Sequence, residues 1–368
     1  MDRGGKIELP VLYFNDEDDS MFGILSVYRR STLHTSHVTE LDNKRVLKEK
    51  SSQIKSKDVS TPESKKSKSR DQPKAVDMLY HKMLRNLSNG DDPKQRYSPI
   101  KLIDSGTFGH VVLAKAKLNG CMVAIKIMEV EKQPFTVLAN EVTIMKKINH
   151  ENVVTALDGI YVEAVKKFWL VMEYVNGCSL KKIVRNVALE EGHICFISSQ
   201  CVKGLDYLHK ENIVHRDIKS SNVLVDIYGR VKITDFGTSY FYEKNAKKNE
   251  IVGSPCFMAP EVVARRPYDY KIDIWSYGIT LIEMIDGDPP YIHEEATRAI
   301  KLVKRNGRPT IKKYNKLSDE LKSFIDTCLV VDAHNRGTAR DLLNHAFLNG
   351  DQILVTARLA QKNEFSSH

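Results

Sequence analysis

An aspartate, a lysine and an asparagine fall within six residues in His215-Arg216-Asp217-Ile218-Lys219-Ser220-Ser221-Asn222, and Asp235-Phe236-Gly237 follows at short range. A carboxylate such as Asp217 can accept a hydroxyl proton or orient the hydroxyl. Lys219 offers a cation to a phosphoryl group in transit. Asn222 and Asp235 supply hard oxygen ligands of the kind Mg2+ prefers. Each of these residues is also at home on a surface loop, and Asp-Phe-Gly alone arises often by chance. The eight-residue run followed so closely by it does not.

Two stretches lie upstream. Ser105-Gly106-Thr107-Phe108-Gly109-His110-Val111 separates two strand-like runs. Lacking a Cβ, Gly106 and Gly109 let backbone N–H groups approach phosphate oxygens closely. Alone, the stretch reads equally as an ordinary hairpin. Val123-Ala124-Ile125-Lys126 is a buried-strand pattern ending on a lysine, and alone that lysine reads as an exposed strand-end cation. The order of all four stretches along one chain carries more than any of them.

The elements that must position these residues are visible as periodicities. Val111 to Ala116 and Met122 to Ile127 read as strands, with Asn119-Gly120 supplying the positive φ angles of a tight turn. Phe135 to Ile148 reads as a helix, with Leu138, Val142, Met145 and Ile148 on one face. Phe168 to Glu173 is a buried strand. Ile194 to His209 is a longer helix with Ile194, Ile197, Cys201, Leu205 and Leu208 in register. Loops and helices then run through Leu348. Strands first and helices later predict an α+β arrangement, a sheet-rich lobe beside a helical one. No internal repeat is visible.

At 368 residues with 42% hydrophobic content, the chain can hold one large domain or two modest ones plus a tail and is not wholly disordered. The net charge of +9 would permit binding to nucleic acid or an anionic membrane, but much of it sits between Lys44 and Lys74. That placement predicts a solvated linker, with no nucleic-acid partner expected. Six cysteines form no C-x-x-C or zinc pattern, which predicts reduced thiols in a cytosolic or nuclear protein. No apolar run is long enough to span a bilayer. The expected organisation is an N-terminal region over 1–43, a Lys/Ser-rich linker and short helix over 44–96, a catalytic domain over 97–348 and a tail over 349–368. The short helix is expected from Asp77 to Leu87, spaced by Met78, Met83, Leu84 and Leu87. Removal of residues 1 to about 90 is expected to leave a folded domain.

Together these motifs resemble the signature set of the eukaryotic protein kinases. The likeness continues through Ala259-Pro260-Glu261, Asp273-Ile274-Trp275-Ser276, Arg336 placed to pair with Glu261, and a closing helix at His345-Ala346-Phe347-Leu348. It implies a two-lobed fold, with a small β-rich N-lobe and a larger helical C-lobe, that binds ATP and Mg2+ between the lobes. By that resemblance Asp217 and Lys219 are catalytic, and Asn222 and Asp235 hold the metal. Lys126 holds the α- and β-phosphates and pairs with Glu141. Gly106 and Gly109 cover the phosphates. Ile103, Val111 and Ala124 roof the adenine, Leu224 floors it, Met172 is the gatekeeper, and Glu173 and Val175 offer backbone hydrogen bonds. Lys219 and Gly253-Ser254-Pro255 resemble serine/threonine rather than tyrosine kinases, with protein substrates.

Val252-Gly253-Ser254-Pro255-Cys256-Phe257-Met258 and Met172-Glu173-Tyr174 are similar to the sterile-twenty group, in particular its PAK branch. Asp104, Ser221 and Glu250 depart from that pattern. They stand where the branch carries the first loop glycine, an acidic reader of substrate arginine, and the activating phosphothreonine. His34-Thr35-Ser36-His37-Val38 resembles the centre of the branch's Rho-family GTPase-binding motif, with the upstream Ile-Ser-x-Pro missing. It reads either as a degenerate GTPase-binding element or as a tail with two unrelated histidines. The rival to an active enzyme is a scaffold that keeps the fold without the chemistry, and Asp104 alone speaks for it.

Overall fold

The computed structural model describes residues 72–90, 92–106 and 109–357. The chain divides between Asp77 and Met78, and Gln72–Asp77, the described part of the first unit, open helix α1 (Gln72–Leu87). The expected N-terminal region 1–43, with His34 and His37, and the linker through residue 71 lie outside the described residues.

Strands β1 (Tyr97–Gly106), β2 (Gly109–Ala116) and β3 (Met122–Glu129) precede helix α2 (Phe135–Lys147), and β4 (Ala156–Val162) and β5 (Lys167–Glu173) complete the sheet. Its order is β1-β2-β3-β5-β4, with every neighbouring pair antiparallel. Side chains alternate faces along a strand, and the two faces here bury different cores. Val123, Ile125, Trp169 and Val171 pack with Val112 and Ile160 on one face. Ala124, Met128, Leu170 and Met172 share the other with Leu138, Val142 and Met145 of α2. Lys126 has the parity of Ala124 and Met128. The pleat therefore turns its side chain toward α2 and Glu141.

The second lobe is helical. Strand β6 (Gly177–Ser179) leads into α3 (Leu180–Asn186) and α4 (Glu191–Lys210), and β7 (Ile213–Val214) enters the loop of catalytic-type residues. Strands β8 (Val223–Asp226) and β9 (Val231–Ile233) form a small sheet with β6, and β10 (Tyr240–Phe241) pairs with β7. Then come α5 (Lys271–Asp286), α6 (Ala296–Asn306), α7 (Asp319–Cys328) and α8 (Ala339–Leu343). Helix α5 is buried along almost its whole length, as an all-round apolar sequence requires. Its Tyr277 hydroxyl donates to Ser198 of α4 at 2.7 Å, satisfying the buried polar pair. A sheet lobe beside a larger helical lobe is the two-lobed fold expected.

Three local expectations differ. In the β2–β3 connection only Gly120 takes a positive φ, +73°. Asn119 instead accepts the Cys121 N–H at 3.0 Å through its side chain, so the loop is wider than a two-residue turn. His345 to Leu348 is not a closing helix. Helix α8 ends at Leu343, and Ala346–Asn349 is a 3-10 turn capped by His345. Residues 351–357 are no loose tail either. Val355 is fully buried, the Ile353 N–H donates to Gly192, and the Ala357 N–H donates to Asp226.

The segment before residue 90 also departs from expectation. Leu84 is fully buried within the core that holds Leu138, Val142 and Phe168, while Met83 is 43% exposed. Burying such a leucine stabilises by about 1.5–3 kcal/mol. Removal of residues 1–90 would therefore also take Leu84 out of that core.

Candidate functional site

Lys126 Nζ lies 2.6 Å from Glu141 Oε1 and 3.3 Å from Asp235 Oδ1. Burial favours the neutral amine, but Glu141 and Asp235 outweigh it and hold the Lys126 ammonium strongly protonated. The same cation reverses the effect of burial on Asp235, whose carboxyl sits below its usual range. Strand β3, helix α2 and the Asp-Phe-Gly loop each contribute one member of this chain of charges. Asp235 takes φ +68°, a left-handed conformation uncommon for a residue with a side chain. Phe236 beside it is fully buried with its ring against His215 at 5.0 Å, which fixes the turn.

A second cluster surrounds Asp217. Its Oδ2 accepts from Lys219 Nζ at 2.6 Å and from Asn222 Nδ2 at 3.1 Å. Its Oδ1 accepts the backbone N–H and the hydroxyl of Ser254, at 2.9 and 2.7 Å. Lys219 Nζ also donates to the Ser254 oxygen at 2.8 Å. Gly253 permits this approach. It takes φ +112°, and a Cβ there would stand 2.4 Å from the Arg216 carbonyl oxygen. The sequence marked Gly253-Ser254-Pro255 only as a family resemblance; the closure of Ser254 onto Asp217 was not foreseen.

The loop is held from below by Asp273, which is fully buried on α5. Its two oxygens accept the backbone N–H groups of His215 and Arg216 at 2.9 and 2.8 Å, and His209 Nε2 lies at 3.1 Å. These bonds hold Arg216 at φ +67°, a strained geometry that needs such outside support. Arg216 then reaches Glu250 at 3.0 Å and the Tyr268 hydroxyl at 3.2 Å. Burial pushes the Glu250 carboxyl up, but the bond from Arg216 and the charge of Lys248 overcome it and its pKa is lowered. Further along, Arg336 meets Glu261 through two parallel bonds of 2.7 and 3.0 Å, as the sequence predicted.

The residues around the nucleotide position divide less sharply. Gly106 and Gly109 pair across the β1–β2 turn, and a Cβ on Gly109 would collide with the Ile127 carbonyl oxygen at 2.1 Å. Val111 lies beside Lys126 in the ladder, and Ala124 beside Met172. Ala124 and Met172 are buried, Val111, Val175 and Leu224 are half-buried, and Ile103 is 40% exposed. The Glu173 N–H already donates to Thr155, and its carboxylate accepts from Lys232 at 2.8 Å, which leaves its carbonyl as the backbone group to offer. Asp104 is exposed, and its carboxylate accepts the N–H of Ser105 at 2.8 Å.

Glu283 sits under the loop, 3% exposed. Its Oε1 accepts from Ser220 at 2.6 Å, and its Oε2 has no partner among the described residues. Burial raises its pKa.

Comparison with known proteins agrees with this geometry. Residues 97–348 match the family model described as "Protein kinase domain". The chain is 43% identical over 270 residues to Serine/threonine-protein kinase CLA4 of Candida albicans, covering 72% of this chain and 28% of that protein. To mouse Serine/threonine-protein kinase PAK 1 it is 40% identical over 283 residues, 76% of this chain and 52% of that one. To Serine/threonine-protein kinase STE20 of Saccharomyces cerevisiae it is 40% identical over 272 residues, 73% and 29% respectively. The matched stretch thus spans from under a third to about half the length of these relatives.

Proposed function

Since this chain belongs to the protein kinase family and is similar to its STE20- and PAK-type members, we propose that it transfers the ATP γ-phosphoryl group to serine or threonine hydroxyls of proteins. The observation that carries this reading is the pair of clusters, Lys126–Glu141–Asp235 on one side and Asp217–Lys219–Asn222 on the other. Phosphoryl transfer asks mainly for positioning and charge stabilisation. Lys126 binds the α- and β-phosphates, with Glu141 keeping it in place. The loop of Gly106 and Gly109 covers the phosphates, and Ile103, Val111, Ala124 and Leu224 enclose the adenine beside Met172, Glu173 and Val175. Asp217 orients the acceptor hydroxyl and takes its proton at a carboxylate oxygen. Lys219 places its positive charge beside the same point.

The donors fit Mg2+. Asp235 offers the oxygen not taken by Lys126, and Asn222 directs its amide nitrogen at Asp217, so its carbonyl oxygen, which meets only the long 3.5 Å bond from the Ser221 hydroxyl, is left for the metal. Few protein ligands completed by substrate phosphates is the usual Mg2+ arrangement. Held there, the ion would supply neutralisation of phosphate charge.

Substrate choice follows from Glu283 and Ser221. With no acidic residue at 221, one carboxylate remains to form a bidentate pair with a substrate guanidinium. A peptide library should therefore return serine/threonine acceptors with a moderate preference for upstream arginine, reduced in Glu283→Gln. A strong acidic or proline preference would contradict this.

Glu250 supplies the regulatory reading. A phosphothreonine there would carry ~1.5 to 2 negative charges; Glu250 carries one and already pairs with Arg216. Phosphatase-treated wild type is therefore expected to keep substantial activity that Glu250→Ala loses; equal activity in both overturns the role. Because the folded carboxyl titrates below its ordinary value, the pair is present above that value and lost only as pH falls through the depressed one. A phosphate, with its second pKa near ~6, would instead lose charge between about pH 7 and 5.

Cytoplasmic residence with nuclear access is supported by the sequence, whose six cysteines form no C-x-x-C or zinc pattern. Among the described residues no helix is long and apolar enough to cross a membrane. A Rho-family GTPase as partner rests on His34 and His37 alone, and calorimetry against a panel of such GTPases tests it.

A further inference from the structure

We propose that the segment from Tyr80 to Asn89, upstream of the matched family domain, is a brace that holds helix α2 and with it Glu141 against Lys126. This inference rests on the kinase reading for its kinetic consequence, though not for its structural one.

The brace grips α2 at both ends. Tyr80 stacks on Phe135, the first residue of α2, with centroids 4.4 Å apart and planes 12° from parallel. Lys146, in the last turn of α2, donates to the Leu87 carbonyl at 2.6 Å. That carbonyl lies in the last turn of α1, where no intrahelical donor remains and a cation is favoured. Between the two grips, Leu84 enters the core that holds Leu138, Val142 and Met145, fully buried. Glu141 lies on α2 between Leu138 and Val142, so the grips bracket the residue that pairs with Lys126.

The brace is itself fixed to the sheet. The Asn89 N–H donates to the Gly159 carbonyl at 2.8 Å, and the Tyr161 N–H donates to the Ser88 hydroxyl at 2.9 Å. Asn89 Nδ2 reaches Asp158 at 2.6 Å. Gly159 leaves room for this approach, since a Cβ there would stand 3.1 Å from the Leu87 oxygen. Arg85 adds an exposed pair with Glu163 at 2.5 Å. The segment thus ties α2 to β4. Loss of the tie leaves Glu141, 3% exposed, dependent on Lys126 and on the neighbouring core alone.

Three full-length proteins test this: wild type, Tyr80→Ala/Leu84→Ala, and Leu84→Met as the conservative variant. The folded double variant should show faster amide exchange over residues 135–147 and a kcat lower by about fivefold or more. Its KM for a peptide substrate should hold within about twofold, because the substrate surface lies on the other lobe. Leu84→Met should restore both properties. If the double variant fails to fold, Lys146→Met serves, because Lys146 is exposed and its loss removes one grip without opening the core. It should give the same signature in smaller degree. Unchanged α2 exchange with unchanged kcat overturns the brace. Absence of transfer in the wild type would instead fail the kinase reading and leave the exchange measurement to decide.

Discussion

Replacing Asp217 with asparagine is expected to lower phosphoryl transfer by ~10²-fold or more while leaving ATP binding nearly intact. An amide cannot accept the hydroxyl proton, and it also disturbs the orientation of the loop. Both carboxylate oxygens now accept: one from Lys219 and Asn222, the other from the Ser254 N–H and hydroxyl. An asparagine must point its NH2 at one of these donor sets, leaving a donor facing a donor in a site only 8% exposed. The phosphate cradle of Lys126 and the glycine-rich loop is on other elements and is not touched. Turnover and ATP calorimetry on the same preparation check this, and wild-type turnover in the variant would remove Asp217 from the chemistry.

Lys126→Met is expected to cost a comparable factor, ~10²-fold or more, by a different route. The cation now neutralises both Glu141 and Asp235. Without it, the buried Glu141 and the half-exposed Asp235 lose their shared counter-charge, and the attraction that lowers the Asp235 pKa is removed. One of them then takes up a proton more readily, and Asp235 becomes a poorer metal ligand. ATP affinity should fall along with turnover, in contrast to Asp217→Asn. A variant that lost turnover but bound ATP as tightly as wild type would show that Lys126 does not hold the phosphates.

How much of this was legible depended on how local each constraint is. The loop from His215 to Asn222 was readable because its chemistry needs particular residue types within a few positions, whereas Lys126 alone read as an exposed strand-end cation and gained its pairing with Glu141 only through the family likeness. The pairing of Arg336 with Glu261 was readable through the family likeness. What holds those residues was not readable. Asp273 was marked only as part of the family likeness, yet its carboxylate is the anchor for His215 and Arg216, and nothing in residue spacing says so. Ser254 reaches Asp217 only because Gly253 adopts a backbone angle that no periodicity encodes. The helix ending at Leu87 was read from its apolar spacing, but its docking, like that of residues 351–357, was not. Each segment buries only one or two apolar side chains, Leu84 in one and Val355 in the other, and spacing alone does not say which neighbours they meet.

The central claim is transfer from ATP to serine or threonine, and labelled ATP measures it directly. Full-length wild type and Asp217→Asn are each incubated with γ-labelled ATP, Mg2+ and a general protein substrate, followed by acid hydrolysis and separation of phosphoamino acids. Label on phosphoserine or phosphothreonine, dependent on Asp217, is the predicted result. Label confined to phosphotyrosine, or no transfer by a wild type shown to bind ATP, would contradict the account.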